Sequence, residues 1–414
     1  MVSDVLNEDI LSDPYPLYRH WRAEAAVGPV TFPSGLVVWQ VTGADAARTV
    51  LADARFTRAL RTLQCAGILG MDFSVGASML TSDPPQHTRL RKLVSWAFTP
   101  RRIARLRPRV QSAVDELLRL VADATEFDLV EVLIAPLPSI VMCELIGVPE
   151  ADRPQFGRWT HSLVTTATTR EEHDTRRDAV QAQRQYWQDL IRTRSAEMDT
   201  SRSADDQPDL LSALLTAKGE TRLNEPELLA MLNLLVVAGQ ETTSSMLGNA
   251  LLALLAHPDQ LRLLREDPAL LPNAVEELLR YDPPVQRGDL HMALEDVTVD
   301  GVTIPKGAAV VVVLGAANRD RTRHAQPDRL DIRCGAADHL AFGHGPHYCL
   351  GAQLARLELA VVLDTVLARF PGLALAEPAG HVPRGPRSLF VRGVTALRVH
   401  TTADITGPKG SEPL

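Results

Sequence analysis

The stretch from residue 225 to 256 constrains the chain most. Pro226-Glu227 opens it, Leu228 to Ala238 is nearly all apolar, and the helical pattern runs on to residue 256. A helix that is apolar on every side has to be buried through a core, so the rest of the chain must wrap around it. With 414 residues, 45% of them hydrophobic, there is ample chain to do so. Halfway along come Gly239-Gln240-Glu241-Thr242-Thr243. Buried polar groups cost free energy unless paired, so an acid followed by hydroxyls needs a use there. The local explanation is that the threonines bond back to carbonyls one turn earlier.

A second stretch carries chemistry: Phe342-Gly343-His344-Gly345-Pro346-His347-Tyr348-Cys349-Leu350-Gly351. Glycines at 343, 345 and 351 flank Cys349, as a sharply turning loop lying close under a flat cofactor would require. From Ala352 the sequence takes helical spacing, which puts Cys349 just before a helix N-terminus. A helix dipole supplies only ~0.3–1 kcal/mol, and burying an unpaired charge costs several kcal/mol, so the dipole alone cannot hold a thiolate. A bound metal deprotonates a thiol outright, and N–H groups of the turn would tune the sulfur. Cys349 is therefore read as the thiolate ligand of a haem iron. A zinc site from His344, His347 and Cys349, with His339 nearby, is the weaker alternative, because the ligands crowd together and the glycines go unexplained. Cys65, Cys143 and Cys334 lack such a setting and are read as small buried hydrophobes.

Charge and cysteine usage exclude other classes. The formal net charge is −8 and the pI about 5.9, with no basic tract interleaved with aromatics, which argues against nucleic acid. No basic-then-apolar leader and no run of 18 apolar residues is found, and four scattered cysteines make no disulfide framework, so a soluble, cytoplasmic protein is expected. Length alone suggests two or three domains.

Taken in order, Asp13-Pro14-Tyr15-Pro16 precedes a short helix, Val30 to Thr42 reads as a hairpin, and Gly43 to Ala52 as a helix. Residues 61 to 80 read as a mobile, apolar-lined loop. Asp83 to Arg91 opens a helix with His87 and Arg91 on one face; alone, it would be a solvated helix start. Arg101, Arg102, Arg105, Arg107 and Arg109 form a basic cluster, either a solvated face or a docking patch for an acidic electron donor. Val110 to Arg194 is mostly helical with breaks at Pro136, Pro138 and Gly147-Val148-Pro149, and Ser195 to Pro208 is an exposed loop. Glu277 and Arg280 pair on another helix, Val297 to Val313 reads as short strands, and the tail from Thr401 as disordered.

The cysteine stretch has the spacing F-G-x-G-x-x-x-C-x-G and resembles the ligand loop of the cytochrome P-450 family, the haem-thiolate monooxygenases. Ala238-Gly239-Gln240-Glu241-Thr242 matches the family's A-G-x-[DE]-T, and Glu277-Leu278-Leu279-Arg280 its E-x-x-R. Asn318-Arg319-Asp320 also looks like the family. The likeness runs from about residue 10 to 400.

The resemblance implies one catalytic domain over 1–414, mainly α with a smaller β-rich part, ordered over about 10–400 with a flexible tail at 401–414. It assigns iron ligation to Cys349 and cofactor contact to Ala238, Gly239, Phe342, Gly343 and Gly351. His87, Arg91 and His347 would bind the haem propionates. His291 stands where related bacterial sequences carry a propionate-binding arginine; a histidine can still donate to a carboxylate but need not be charged. Gly239 would open space over the iron, Thr242 hydrogen-bond the bound oxygen and Glu241 relay protons. Glu277 and Arg280 would form a buried structural network behind the cysteine.

The implied reaction is activation of O2 at haem b and insertion of one oxygen atom into an organic substrate, by hydroxylation or epoxidation. The chain has no G-x-G-x-x-G nucleotide loop, so electrons would come from a separate ferredoxin and its NAD(P)H-dependent reductase, the enzyme acting as a bacterial class I monomer. The substrate is expected to be a medium-sized apolar natural product of secondary metabolism, held near 61–80, 160–172, the helix before Gly239, 285–292 and 385–390, where Thr165, Thr166, Thr168 and Thr169 add hydroxyls. Oxidative coupling or rearrangement without oxygen insertion, or a non-oxygenating haem protein, are the alternatives.

Overall fold

The structure is a computed structural model describing residues 13–31, 35–59, 78–164, 169–197, 199, 201–203, 206–216, 223–335, 338–385 and 390–401. Pro14 and Pro16 start α1 (Tyr15–Glu24), which leads into β1 (Val27–Thr31), β2 (Val37–Val41), α2 (Ala44–Ala52) and β3 (Phe56–Thr57). Next come α3 (Gln86–Ser95), α4 (Pro100–Arg119), β4 (Glu126–Asp128) and a π-helical turn, Val130–Ile134, joined to α5 (Pro136–Ile146). The expected break at Pro136 falls where the π-helical turn gives way to α5, and the one expected at Pro138 does not occur. Both prolines occupy the first turn of α5, where backbone N–H groups lack helical partners in any case. The expected break at Gly147 is real: its φ is +96°, and a Cβ there would lie 2.4 Å from Asp209 Cγ.

The helical layer continues with α6 (Arg153–Val164), α7 (Arg170–Glu197), α8 (Leu210–Thr216) and the long α9 (Glu225–Ala256). Asn224 and Glu227 cap α9 reciprocally: Glu227 N donates to Asn224 Oδ1 at 2.8 Å, and Asn224 N to Glu227 Oε2 at 3.1 Å. After α10 (Pro258–Glu266) and α11 (Leu271–Tyr281) come β5 (His291–Ala293), β6 (Val297–Val299), β7 (Val302–Ile304), β8 (Ala309–Val312) and α12 (Leu314–Ala317). The chain closes with α13 (Ala352–Arg369), β9 (Leu373–Leu375), β10 (Arg384–Gly385), β11 (Gly393–Val394) and β12 (Arg398–Thr401).

The main sheet has the order β1-β2-β8-β5-β3, with β2 and β8 parallel and its other pairs antiparallel. Its valines, among them Val41, Val310 and Val312, form their own apolar cluster. The larger core joins α4, α5, α9 and α13 through side chains such as Leu118, Leu137, Leu232, Leu251 and Val362. The fold is thus mainly α with a smaller β part in a single domain, not the two or three that length suggests. Cys143 is buried as expected, whereas Cys334 is exposed, against expectation; it lies in the turn-rich segment before the cysteine loop. Cys65, most of the loop expected at 61 to 80, Thr165, Thr166, Thr168 and the tail beyond Thr401 lie outside the described residues. No helix among the described residues is long and apolar enough to cross a membrane.

Candidate active site

The cysteine loop owes its shape to two glycines. Gly343 and Gly345 both have φ of +72°, the left-handed region that L side chains avoid, and a Cβ on Gly345 would lie 2.6 Å from Leu51 O of α2. Cys349 N donates to Phe342 O at 2.9 Å and closes the loop just ahead of α13. The Gly351 backbone N–H acts on the Cys349 sulfur in favour of its thiolate. Cys349 is accessible although protein surrounds it, so its sulfur opens onto interior space instead of packing against side chains. Burial pushes its thiol up, outweighing the pull of the Gly351 N–H and of Arg91 and Arg356. The free thiol is therefore neutral at pH 7, and ionisation needs a metal.

Beside the cysteine the structure collects cationic and imidazole side chains from four elements. His87 and Arg91 come from α3, His347 from the loop, His291 from β5, and Arg58 from just beyond β3. The His87 and His347 rings lie 4.1 Å apart, and Arg91 Nη2 donates to Tyr348 O at 2.6 Å. Both ring nitrogens of His87 are buried without a hydrogen-bond partner among the described residues. Such an orphan costs ~1–3 kcal/mol. Burial lowers the pKa of His87, with Arg91 and Arg58 adding to the effect, and burial together with Arg58 brings His291 down to about 3. The residues missed from the sequence are Arg58 and its partner Asp289. Arg58 lies in a stretch without period, so nothing there marks it.

Behind the loop, Glu277 and Arg280 are buried and pair through two bonds, Nε to Oε2 at 2.7 Å and Nη2 to Oε1 at 2.8 Å. Arg280 also donates to the carbonyls of Asn318, Pro327 and Arg329, and Glu277 accepts from Asp331 N. Asn318 Oδ1 in turn accepts from Leu340 N at 2.6 Å, which fixes the approach to the cysteine loop. Next to this network, Glu276 binds Arg356 of α13 and His339, and Arg356 lies 4.5 Å from the Phe342 ring centroid. Of the imidazoles near the cysteine, His339 is thus engaged with Glu276, and the His347 ring lies against that of His87. No group of three His, Cys, Asp or Glu side chains placed to hold a metal occurs among the described residues.

The long helix carries the remaining residues. Although α9 crosses the core, Leu234, Val237, Ala238, Glu241 and Thr242 are accessible, at helical spacings that make one stripe. Its upper part is apolar and its lower part holds the acid and the hydroxyl. Thr242 Oγ1 donates to Ala238 O at 2.6 Å, the back-bond expected locally, and it leaves the hydroxyl oxygen free to accept. Burial pushes the Glu241 carboxyl up to about 7. Gly239 has a packing reason: a Cβ there would lie 2.7 Å from Met142 Sδ of α5. α9 and α13 pack together, so the stripe and the cysteine loop belong to one assembly.

These donors suit a haem. One soft ligand opens onto interior space, the orphaned His87 imidazole and the guanidinium groups at its side match carboxylates, and the accessible stripe leaves room beside them. Residues 35–375 match the cytochrome P-450 family model. The chain is 44% identical over 405 residues to the cytochrome P-450 monooxygenase PikC of Streptomyces venezuelae, covering 95% of this chain and 92% of that one. It is 39% identical over 385 residues to the mycinamicin IV hydroxylase/epoxidase of Micromonospora griseorubida, covering 92% and 94%. The solved structure of the Bacillus subtilis bacillaene polyketide synthase cytochrome P-450 PksS superposes with a TM-score of 0.86 at 33% identity, covering 96% and 99%. The chain belongs to the cytochrome P-450 family. It is a bacterial-type haem monooxygenase that uses O2.

Proposed function

We propose that this enzyme hydroxylates or epoxidises an apolar natural product, with Cys349 ligating the iron and electrons arriving from a separate ferredoxin and its NAD(P)H-dependent reductase. The observation that carries the reading is the accessible stripe of α9, where Leu234, Val237 and Ala238 give way to Glu241 and Thr242. An apolar surface selects an apolar substrate, and the acid and hydroxyl at its end serve proton delivery.

Haem, when bound, supplies the activation of O2 and the oxygen insertion. Cys349 would hold the iron, with the Gly351 N–H taking part of the sulfur's negative charge. His87, Arg91 and His347 would hold the propionates. Near neutral pH the Glu241 carboxyl both keeps and releases a proton, and Thr242 Oγ1, its own hydrogen committed to Ala238 O, can accept a hydrogen bond. The exposed Arg101, Arg105 and Arg107 at the start of α4 suit an acidic electron donor, although Arg102 stacks on Trp96 and Arg109 pairs with Glu144. The relatives named as a hydroxylase/epoxidase and as part of a polyketide synthase system support the substrate class. We take the chain as one catalytic domain acting as a monomer.

The carbon monoxide difference spectrum of the reduced protein tests the ligand. A strongly red-shifted Soret band is expected, and a band at the position of histidine-ligated haem would remove Cys349 from its role. With a surrogate ferredoxin, a product heavier by one oxygen atom supports insertion, and a product without added oxygen indicates coupling.

A further inference from the structure

We propose that Arg58, held in place by His291 and Asp289, is the cation that clamps the haem propionates on the β5 side of the site, and that His291 positions it. The proposal rests on haem binding at Cys349. Arg58 is 7% exposed and comes from the end of β3, next to β5 in the main sheet. Its Nε donates to His291 Nε2 at 3.2 Å and its Nη2 to Asp289 Oδ2 at 2.8 Å. That first bond requires His291 Nε2 to be unprotonated, so the ring proton sits on Nδ1, which is buried without a partner among the described residues, while Nε2 serves Arg58. The histidine is an acceptor that aims the guanidinium.

The remaining nitrogen, Nη1, has no partner among the described residues. Unlike the His87 nitrogens, Nη1 is not fully sealed off, so an anion can reach it, and a largely buried guanidinium gains from one. The local carboxylates are already committed. Asp289 takes Nη2, and Asp83 accepts from the Arg58 backbone N–H at 3.0 Å and from the Thr57 hydroxyl. Arg58 lies close enough to His87 and His347 to act on both rings electrostatically. Arg58 and, from α3, Arg91 and the orphaned His87 thus converge, and no carboxylate among the described residues bonds to Arg91 or His87. A pair of carboxylates is the ligand this arrangement takes, and guanidinium binds carboxylate better than imidazole does.

The test uses holoenzyme of the parent, Arg58→Ala, Arg58→Lys, the double variant Arg58→Ala with His291→Arg, and Arg55→Ala. Arg55 is a nearby exposed arginine paired with Asp53, and serves as the charge control. Two quantities are read: the rate of haem transfer to excess apomyoglobin and the midpoint potential of the iron. Arg58→Ala should lose haem at least about tenfold faster, as for one lost charge-assisted hydrogen bond. Its potential should become more negative, because removing a nearby cation disfavours the reduced state. Arg58→Lys should fall between it and the parent, Arg55→Ala should match the parent, and the double variant should recover both quantities in part by supplying a guanidinium from position 291. A parent with a thiolate-ligated spectrum whose Arg58→Ala and Arg58→Lys variants keep parental transfer rates and potentials would overturn the proposal. So would a lower melting temperature in those variants with the potential unchanged. A parent without thiolate-ligated haem defeats the haem reading itself, an outcome visible before any variant is compared.

Discussion

Arg356 of α13 grips Glu276 of α11 through two bonds, Nε to Oε1 at 2.6 Å and Nη2 to Oε2 at 2.8 Å, with the Phe342 ring beneath the guanidinium. The cysteine loop is therefore tied at both ends to α11. Burial alone would raise the Glu276 carboxyl, but the bonds from Arg356 and His339 outweigh it and draw the carboxyl down to about 2. An unfolded glutamate titrates near ~4.3. The stabilisation is therefore complete above about pH 4.3 and disappears as pH falls towards about 2. Glu276→Gln should destabilise the fold at pH 7 by up to about 3 kcal/mol, read as a lower urea midpoint with unchanged slope. The gap between variant and parent should close at pH 2.5, and a gap that stays constant with pH would refute the coupling.

The pair Glu277 and Arg280 predicts a larger loss. Both side chains are almost fully buried, and Arg280 holds three carbonyls besides its carboxylate. Glu277→Ala leaves that charge buried without its counter-ion, which costs about 3–5 kcal/mol. Asp189→Ala, which breaks an exposed pair with Arg192 on α7, should change stability by less than about 1 kcal/mol. Denaturant melts of the two variants side by side check the contrast.

The motifs were legible because each is local in sequence. The cysteine loop, the acid and hydroxyl of α9 and the E-x-x-R lie within single stretches, and turn or helix geometry alone brings their members together. Arg58, Asp289 and His291 are held together by the pairing of β3 with β5, more than 200 positions apart in sequence. No periodicity reports such a contact. The likeness to the family placed His291 at the propionates, yet its bond to Arg58 depends on which side chain faces it across the sheet. Pro138 misled for a related reason: a proline reads as a break, and only the start of α5 at Pro136 shows that it falls in the first turn.

Glu241 should set a pH limb near neutrality. Burial raises its carboxyl to about 7, so it carries a proton below that pH and loses it above. Product formed per electron consumed should fall in the parent as pH rises from 6 to 8.5. Glu241→Gln should lower that ratio by about 10² or more and remove the limb. Stability moves the other way. As pH rises past about 4.3 the unfolded glutamate ionises while the folded one stays protonated, so folding is penalised up to about pH 7. Glu241→Gln should therefore melt higher relative to the parent at pH 8 than at pH 4, and equal differences at the two pH values would remove the buried acid from this role.

Gly239 separates a packing role from one in oxygen access. Its missing Cβ is what lets α5 approach α9, since an alanine there would meet Met142 at 2.7 Å from Sδ and 3.0 Å from Cγ. Gly239→Ala sets the usual cost of overpacking, about 1–3 kcal/mol, against the roughly 1 kcal/mol that alanine gains over glycine inside a helix, so a net loss of up to about 2 kcal/mol is expected. Met142 is itself buried, so Met142→Ala alone should cost about 2–5 kcal/mol. Together the two should cost less than their sum, because the shortened side chain makes room for the new methyl, with a coupling of about 0.5–3 kcal/mol. Four urea melts complete the cycle. Strict additivity would mean that Gly239 is required for the face that α9 presents to the site, and the loss would then appear in turnover instead of stability.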